Sequence, residues 1–318
     1  MSAAKTATKV ISKMDRPLKW FMRTWLLLLL VVFFTGCNGN PSKKVSDKSG
    51  DEKSNSDSST FEPIDPVLEM KINSPHDDPT VKNAGEPDPR GDSIRKNSFK
   101  VLESGEFSFA GTLPTLGHRA HVPGKLRPVR EVALRLMALN ALFTWVTAPE
   151  DAVPTNTLSS YIKNNRLRSY LAEDEVAILD LSRGEAGRLH GNTIGWRLEN
   201  MWALAWILGF EHPPEPMTGQ IANKVSRAMI FEFLPGFDTS VEDLLKKAKP
   251  RTEDEVIKLE DVFYCAHNSV RSAQTGSTTS VPKDFHPVRD GGAIHERRHA
   301  LTWAISPDVD WDDTDLST

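Results

Sequence analysis

His295, Glu296, Arg297, Arg298 and His299 spell H-E-x-x-H within a stretch of helical periodicity. Two histidines one helical turn apart can bind zinc while the glutamate beside them activates a water, the arrangement of a metal-dependent hydrolase. Three features oppose that chemistry here. Both intervening residues are arginines, which would set two cations against a dication. Thr302 and Ile305 stand where a glycine and a third histidine ligand would belong. Nineteen residues follow His299 in this sequence, little length for a helix bearing a distal glutamate, which leaves Asp308, Asp310, Asp312 and Asp313 as carboxylates. Zinc on His295, Glu296 and His299 is therefore the alternative reading, and no cofactor is the expectation.

A second constellation consists of polar residues where apolar ones are expected. Trp196, Arg197, Glu199 and Asn200 fall on the most apolar helical segment. Asp261, Tyr264, His267 and Arg271 follow one another at spacings of three, three and four, so they share one side of a helix. Glu296 and Arg297 lie on the last helical segment. A charge on a buried helix costs several kcal/mol unless it is paired, so these groups are expected to meet one another. The plainer outcome is an Arg–Glu and Asp–Arg network that fixes helix register. The functional one is a pocket in which Arg197, Arg271 or Arg297 receives a small anionic ligand, lined by His267 and Tyr264.

Other chemistries lack a signature. There is no G-x-S-x-G, no phosphate-binding loop and no dinucleotide glycine motif. Cys265 lies on an apolar helix face and reads as a small core residue. The tryptophans sit mostly at helical spacing inside apolar runs, which points to packing rather than to carbohydrate stacking. With 39 basic against 43 acidic residues and a net charge of −4, no overall field favours nucleic acid.

Stepping upstream, Trp25–Phe34 reads WLLLLLVVFF behind Lys19 and Arg23. Ten apolar residues are too few to cross a bilayer core, which takes about 20, but they suit a signal peptide. Thr35-Gly36-Cys37 follows and resembles the lipobox of bacterial lipoproteins, although Phe34 replaces the usual leucine. The resemblance implies cleavage before Cys37, residues 1–36 as leader, and a Cys37 carrying lipid chains such as palmitate. Stable anchoring takes two chains, since each buried methylene contributes about 0.8 kcal/mol. The membrane is thus the expected first partner. Asn38 in place of aspartate points, by analogy with enteric sorting, to the outer membrane. From 38 to about 91 the chain is rich in Ser, Asp, Lys and Pro, with too few apolar residues to offset ordering entropy, and reads as a disordered tether.

Residues 92–318 carry helical punctuation. Asp92 or Ser93 caps a short helix bearing Phe99 and Leu102, with Gly105 as a left-handed exit. Pro128 opens a long helix with one apolar stripe from Val129 through Leu136 to Val146. Further helices are expected at 173–181, at 194–208 (apolar nearly all round, hence central), after Thr239, after Thr252 and at 292–305. Thr239 with Glu242 and Thr252 with Glu255 have capping-box spacing. The expectation is an all-α domain of about six to eight helices.

Several phrases then resemble a family known only as domain of unknown function 4272: RKNSFKVLESGEFSFAGTLP (Arg95–Pro114), LRPVREVALRLMAL (Leu126–Leu139), WRLENMWALAWILG (Trp196–Gly209), EDEVIKLEDVFYCAHNSVRSA (Glu253–Ala273), AIHERRHALTWAI (Ala293–Ile305) and DWDD (Asp310–Asp313). The resemblance implies a helical domain and brings no activity with it. Together these readings give a lipid-anchored, non-catalytic binding or interaction module of the cell envelope, whose partner is an envelope protein or a small anion.

Overall fold

Residues Val132–Thr144 are all buried, which only a helix packed on every side allows. The computed structural model describes residues 88–119 and 121–318. The leader, Cys37 and the tether as far as residue 87 lie outside the described residues. Ten α-helices run through the described chain: α1 Gly91–Ser104, α2 Val129–Thr147, α3 Thr155–Asn164, α4 Glu173–Asp180, α5 Arg183–His190, α6 Arg197–Ile207, α7 Asn223–Ala228, α8 Val241–Lys247, α9 Glu253–Gln274 and α10 Arg289–Ala304. Short 3-10 turns lie at Leu167–Tyr170, Ile194–Trp196 and Thr278–Ser280, and a π turn at Met229–Phe233 extends α7. Among the described residues there is no β-strand, and no helix is long and apolar enough to cross a membrane.

The helix count exceeds the expected six to eight because α3, α5 and α7 are only 10, 8 and 6 residues long. TNTLSSYIKN places Leu158, Tyr161 and Ile162 on one face, but three apolar residues within a single turn are too short a pattern to single out. The single stripe expected of α2 is also corrected. Leu134, Ala138 and Leu142 are as buried as Leu136 and Met137, because α6 lies on one side while α5, α8 and the Leu167–Tyr170 turn cover others. The most extensive contacts make a row of neighbours in which α2 packs on α6, α6 on α10, α10 on α9, and α9 on α1.

The caps were partly legible. Thr252 Oγ1 accepts from the Glu255 amide and Glu255 returns a bond to the Thr252 amide, as its spacing requires. The box expected at Thr239 sits one residue on, where Asp243 accepts from the amide and hydroxyl of Ser240, because Thr239 Oγ1 donates to the Gly236 carbonyl instead. Neither Asp92 nor Ser93 caps α1, whose N-cap is Arg90. Gly105 keeps φ at −100° and Glu106 takes the positive φ of 59°. Phe99 is largely exposed and stacks on Phe109, while Leu102 is fully buried.

Gly209 ends α6 at φ +105°. Lys249 and Arg251 then donate their amides to the Leu208 and Ile207 carbonyls left open by the helix end. A Cβ at 209 would lie 2.5 Å from the Lys249 carbonyl oxygen. Gly209→Ala is accordingly expected to destabilise by about 1–3 kcal/mol. Gly184→Ala, on exposed α5 with nothing within 4 Å of the added atom, is expected to be neutral or to stabilise by up to about 1 kcal/mol. Urea unfolding midpoints measure both.

Candidate functional site

The centre of the row is polar. Along α10, Arg297 is 0% exposed and Arg298 1%. Arg297 Nε and Nη2 bond Glu199 Oε2 of α6 at 2.8 and 2.7 Å. Its remaining donors reach the carbonyls of Glu215, Thr218 and Gly219, and the guanidinium lies 4.6 Å from the Trp202 ring centroid. Glu199 also accepts from the Ile221 amide at 2.7 Å. The loop 215–221 is thereby wrapped around one ion pair. Burial pushes the Glu199 carboxyl up, and the bonds from Arg297 and Ile221 oppose it.

Arg298 faces the other neighbour, α9. Its Nη1 donates to His267 Nδ1 at 2.6 Å and to the Leu316 carbonyl at 2.7 Å, and Nη2 donates to the Ser317 carbonyl at 2.9 Å. An arginine can only donate, so His267 Nδ1 is the acceptor and the neutral ring carries its proton on Nε2. That N–H points to His295 Nδ1 at 3.4 Å. His299 Nε2 donates to the Trp311 carbonyl at 2.9 Å, and its ring stacks on Trp311. The rings of His295 and His299 are 6.4 Å apart. Glu296 accepts from Asn200 Nδ2 at 3.0 Å, with Arg197 3.9 Å away. Among the described residues, no three or more His, Cys, Asp or Glu side chains come together as a metal-ligand set.

Tyr264 of α9 is surrounded by guanidinium groups, with Arg119 at 4.0, Arg298 at 4.8 and Arg95 at 5.6 Å from its ring. Two carboxylates one residue apart answer them. Asp261 bonds Arg95 Nε and Nη2 at 3.1 and 2.9 Å and accepts from Ser98. Glu260 bonds Arg119 Nη1 and Nη2 at 2.5 and 2.7 Å and accepts from Thr302. Burial works to raise Glu260, yet the Arg119 charge outweighs it and holds the carboxyl low. Arg298 has no carboxylate within 4 Å among the described residues, and burial together with the Arg119 charge lowers it to about 10. Cys265, in the same layer, is fully buried, and burial drives its thiol pKa far up.

Of the residues singled out from spacing, Glu199 and Arg297 meet each other directly. Arg197 joins Glu175 at 2.9 Å and Asp174 at 3.2 Å, and Trp196 packs against Gly292 at the start of α10. Arg271 does not reach Asp261. It is exposed and bonds Gln274, because α9 turns that face out of the core one turn after His267. The true partner of Asp261 is Arg95, 166 positions away. Arg95, Arg119, Arg135, Glu175, Glu260 and Arg298 were missed as network members. Arg135 offered a signal, an arginine inside the apolar run of α2. It pairs with Glu175 at 2.5 Å and lies 3.8 Å from the Trp311 ring.

These features define an all-helical domain whose core is laced by arginines, each lying against an aromatic ring or paired with a carboxylate. Within that class, the chain belongs to the family described as Domain of unknown function (DUF4272), whose model matches residues 95–314. The match contains every contact above except the Leu316 and Ser317 carbonyls on Arg298. No curated protein and no solved structure matches the chain.

Two outcomes follow from this geometry. Arg297→Met strands Glu199 and is expected to destabilise by about 3–5 kcal/mol, whereas Arg271→Met stays within about 0.5 kcal/mol, both read from urea melts. Burial lowers His267 from 6.5 to about 3 and His299 to about 4. The unfolded chain therefore binds these protons first, and stability present above pH 6.5 falls as the solution is acidified. Between pH 6.5 and 5 the slope from each histidine rises from about 0.7 towards about 1.3 kcal/mol per pH unit. His299→Gln is expected to flatten that slope by one proton's worth.

Proposed function

We propose that this chain is a lipid-anchored, non-catalytic binding module of the cell envelope, attached through Cys37 and presenting the helical domain at the end of its tether. One observation carries the non-catalytic part. Each side chain of His295–His299 is engaged inside the fold: His295 with His267, Glu296 with Asn200, Arg297 with Glu199, Arg298 with His267 and two carbonyls, and His299 with the Trp311 carbonyl. A glutamate that activates water needs a free face beside a metal, and zinc ligands need free imidazole lone pairs. The Nδ1 lone pair of His295 faces the His267 Nε2–H at 3.4 Å, so it is not open to a metal. The anchoring part is supported by the Thr35-Gly36-Cys37 sequence behind its apolar leader.

The anchor is tested in a bacterial host fed a clickable fatty acid. Cys37→Ser should lose the label and leave the precursor uncleaved, and a labelled, processed Cys37→Ser protein would overturn the assignment. The binding reading is tested by thermal unfolding of the full chain in phosphatidylcholine nanodiscs against zinc, anionic metabolites and glycans. A ligand at about 100 times its Kd adds about 2.7 kcal/mol and raises the midpoint. A rise with zinc that His295→Ala abolishes, together with zinc-dependent hydrolysis, would overturn it in favour of the hydrolase.

A further inference from the structure

The buried arginines are engaged by carboxylates, carbonyls and rings, with Nε of Arg135 and of Arg298 left without a partner among the described residues, and the open hollows lie elsewhere on the domain. A hollow of about 560 Å³ opens between α2, α3, α4 and the Leu167–Tyr170 turn, within the range of small-molecule sites. Its floor is apolar, made by Trp145, Ile162 and Leu179, the last two buried. Its rim is basic, made by Lys163, Arg166 and Arg168. Asp180 pairs with Arg168 at 2.9 Å. Lys163 and Arg166 have no carboxylate within 4 Å among the described residues, so the rim keeps two uncompensated positive charges.

Arg166 is also held at φ +53°, ψ +39°, a left-handed backbone that a residue with a side chain adopts at an energetic cost. The fold keeps it there: Asn165 is bonded to the Thr239 carbonyl and to the Val241 amide on α8, and Ser169 Oγ donates to the Arg166 carbonyl. Across the same turn, a neighbouring hollow sets Glu131, Glu173, Asp310 and Asp312 against Arg127 and Arg135, so its lining is net negative. An anion is thus repelled from one side of the turn and attracted to the other.

We infer that the Trp145–Ile162–Leu179 hollow binds a small amphipathic anion, its apolar body on that floor and its phosphate or carboxylate against Lys163 and Arg166. Arginine supplies paired donors to such a head and lysine a point charge. The hydroxyl of Ser159 on the wall adds a neutral donor. This site rests on the reading of the domain as a binding module and gives it a ligand class.

The test is calorimetric titration of the full chain in phosphatidylcholine nanodiscs, blanked against empty discs, with 1-naphthyl phosphate, 1-naphthol and inorganic phosphate. Naphthyl phosphate is expected to bind at least about tenfold more tightly than either fragment, because only it uses floor and rim together. Lys163→Glu combined with Arg166→Glu should weaken it by about tenfold or more and leave the melting temperature unchanged, since both side chains are exposed. Equal binding of inorganic phosphate or naphthol, or binding that survives the double substitution, overturns this site. Naphthyl phosphate binding that survives it still supports a binding module with its site elsewhere. Zinc-dependent hydrolysis of the ester would instead overturn the module reading itself.

Discussion

A guanidinium taken out of water keeps its charge and still needs bonds for five N–H groups. This domain buries the side chains of Arg95, Arg119, Arg127, Arg135, Arg297 and Arg298, and the rest of the structure is arranged around satisfying them. Each ties together parts of the chain far apart in sequence. Arg95 joins α1 to α9, Arg119 joins a loop to α9, Arg135 joins α2 to α4, and Arg297 joins α10 to α6 and to the loop 215–221. Arg127 reaches the carbonyls of Trp303 in the last turn of α10 and of Ser306 and Val309 beyond it. Removing one partner leaves an uncompensated charge in a low-dielectric interior, so these bonds oppose any slip of helix register.

Aromatic rings make the desolvation tolerable. Trp202, Trp206, Trp303 and Trp311 each lie within 5.3 Å of an arginine, and Tyr264 serves three. A π face offers a cation some of the attraction it loses on leaving water, and its bulk fills the space beside the flat group. The tryptophans are therefore buried, as apolar packing alone would have them, but what they pack against is charge.

Helix α10 shows how such a core can imitate a catalytic motif. It carries no clean apolar stripe, because its neighbours on several sides present polar partners: Glu199 and Asn200 from α6, His267 from α9, Trp311 from the segment that follows it. His-Glu-Arg-Arg-His gives a helix at that crossing a polar group towards each of these neighbours, with only Nε of Arg298 left without a partner among the described residues. Two cations unpaired among the described residues, Lys163 and Arg166, lie elsewhere, just before the Leu167–Tyr170 turn, where a basic hollow and a net acidic one are set side by side.

Sequence alone determined the helical class, the family, the long helices α2, α6, α9 and α10, and the Thr252 cap, because these rest on local periodicity and on contacts within one or two turns. It also located the polar residues whose burial demanded partners. It did not supply the partners. Asp261 reads as a member of an Asp–Arg network with no particular arginine assigned, and Arg95 on another helix is the one that reaches it. The short helices α3, α5 and α7 stayed hidden because packing, rather than periodicity, holds them in place. Which arginine meets which carboxylate, and which cations remain free at the surface, depends on how helices cross. Only the tertiary structure decided that, since spacing along a helix defines a face but not what that face will touch.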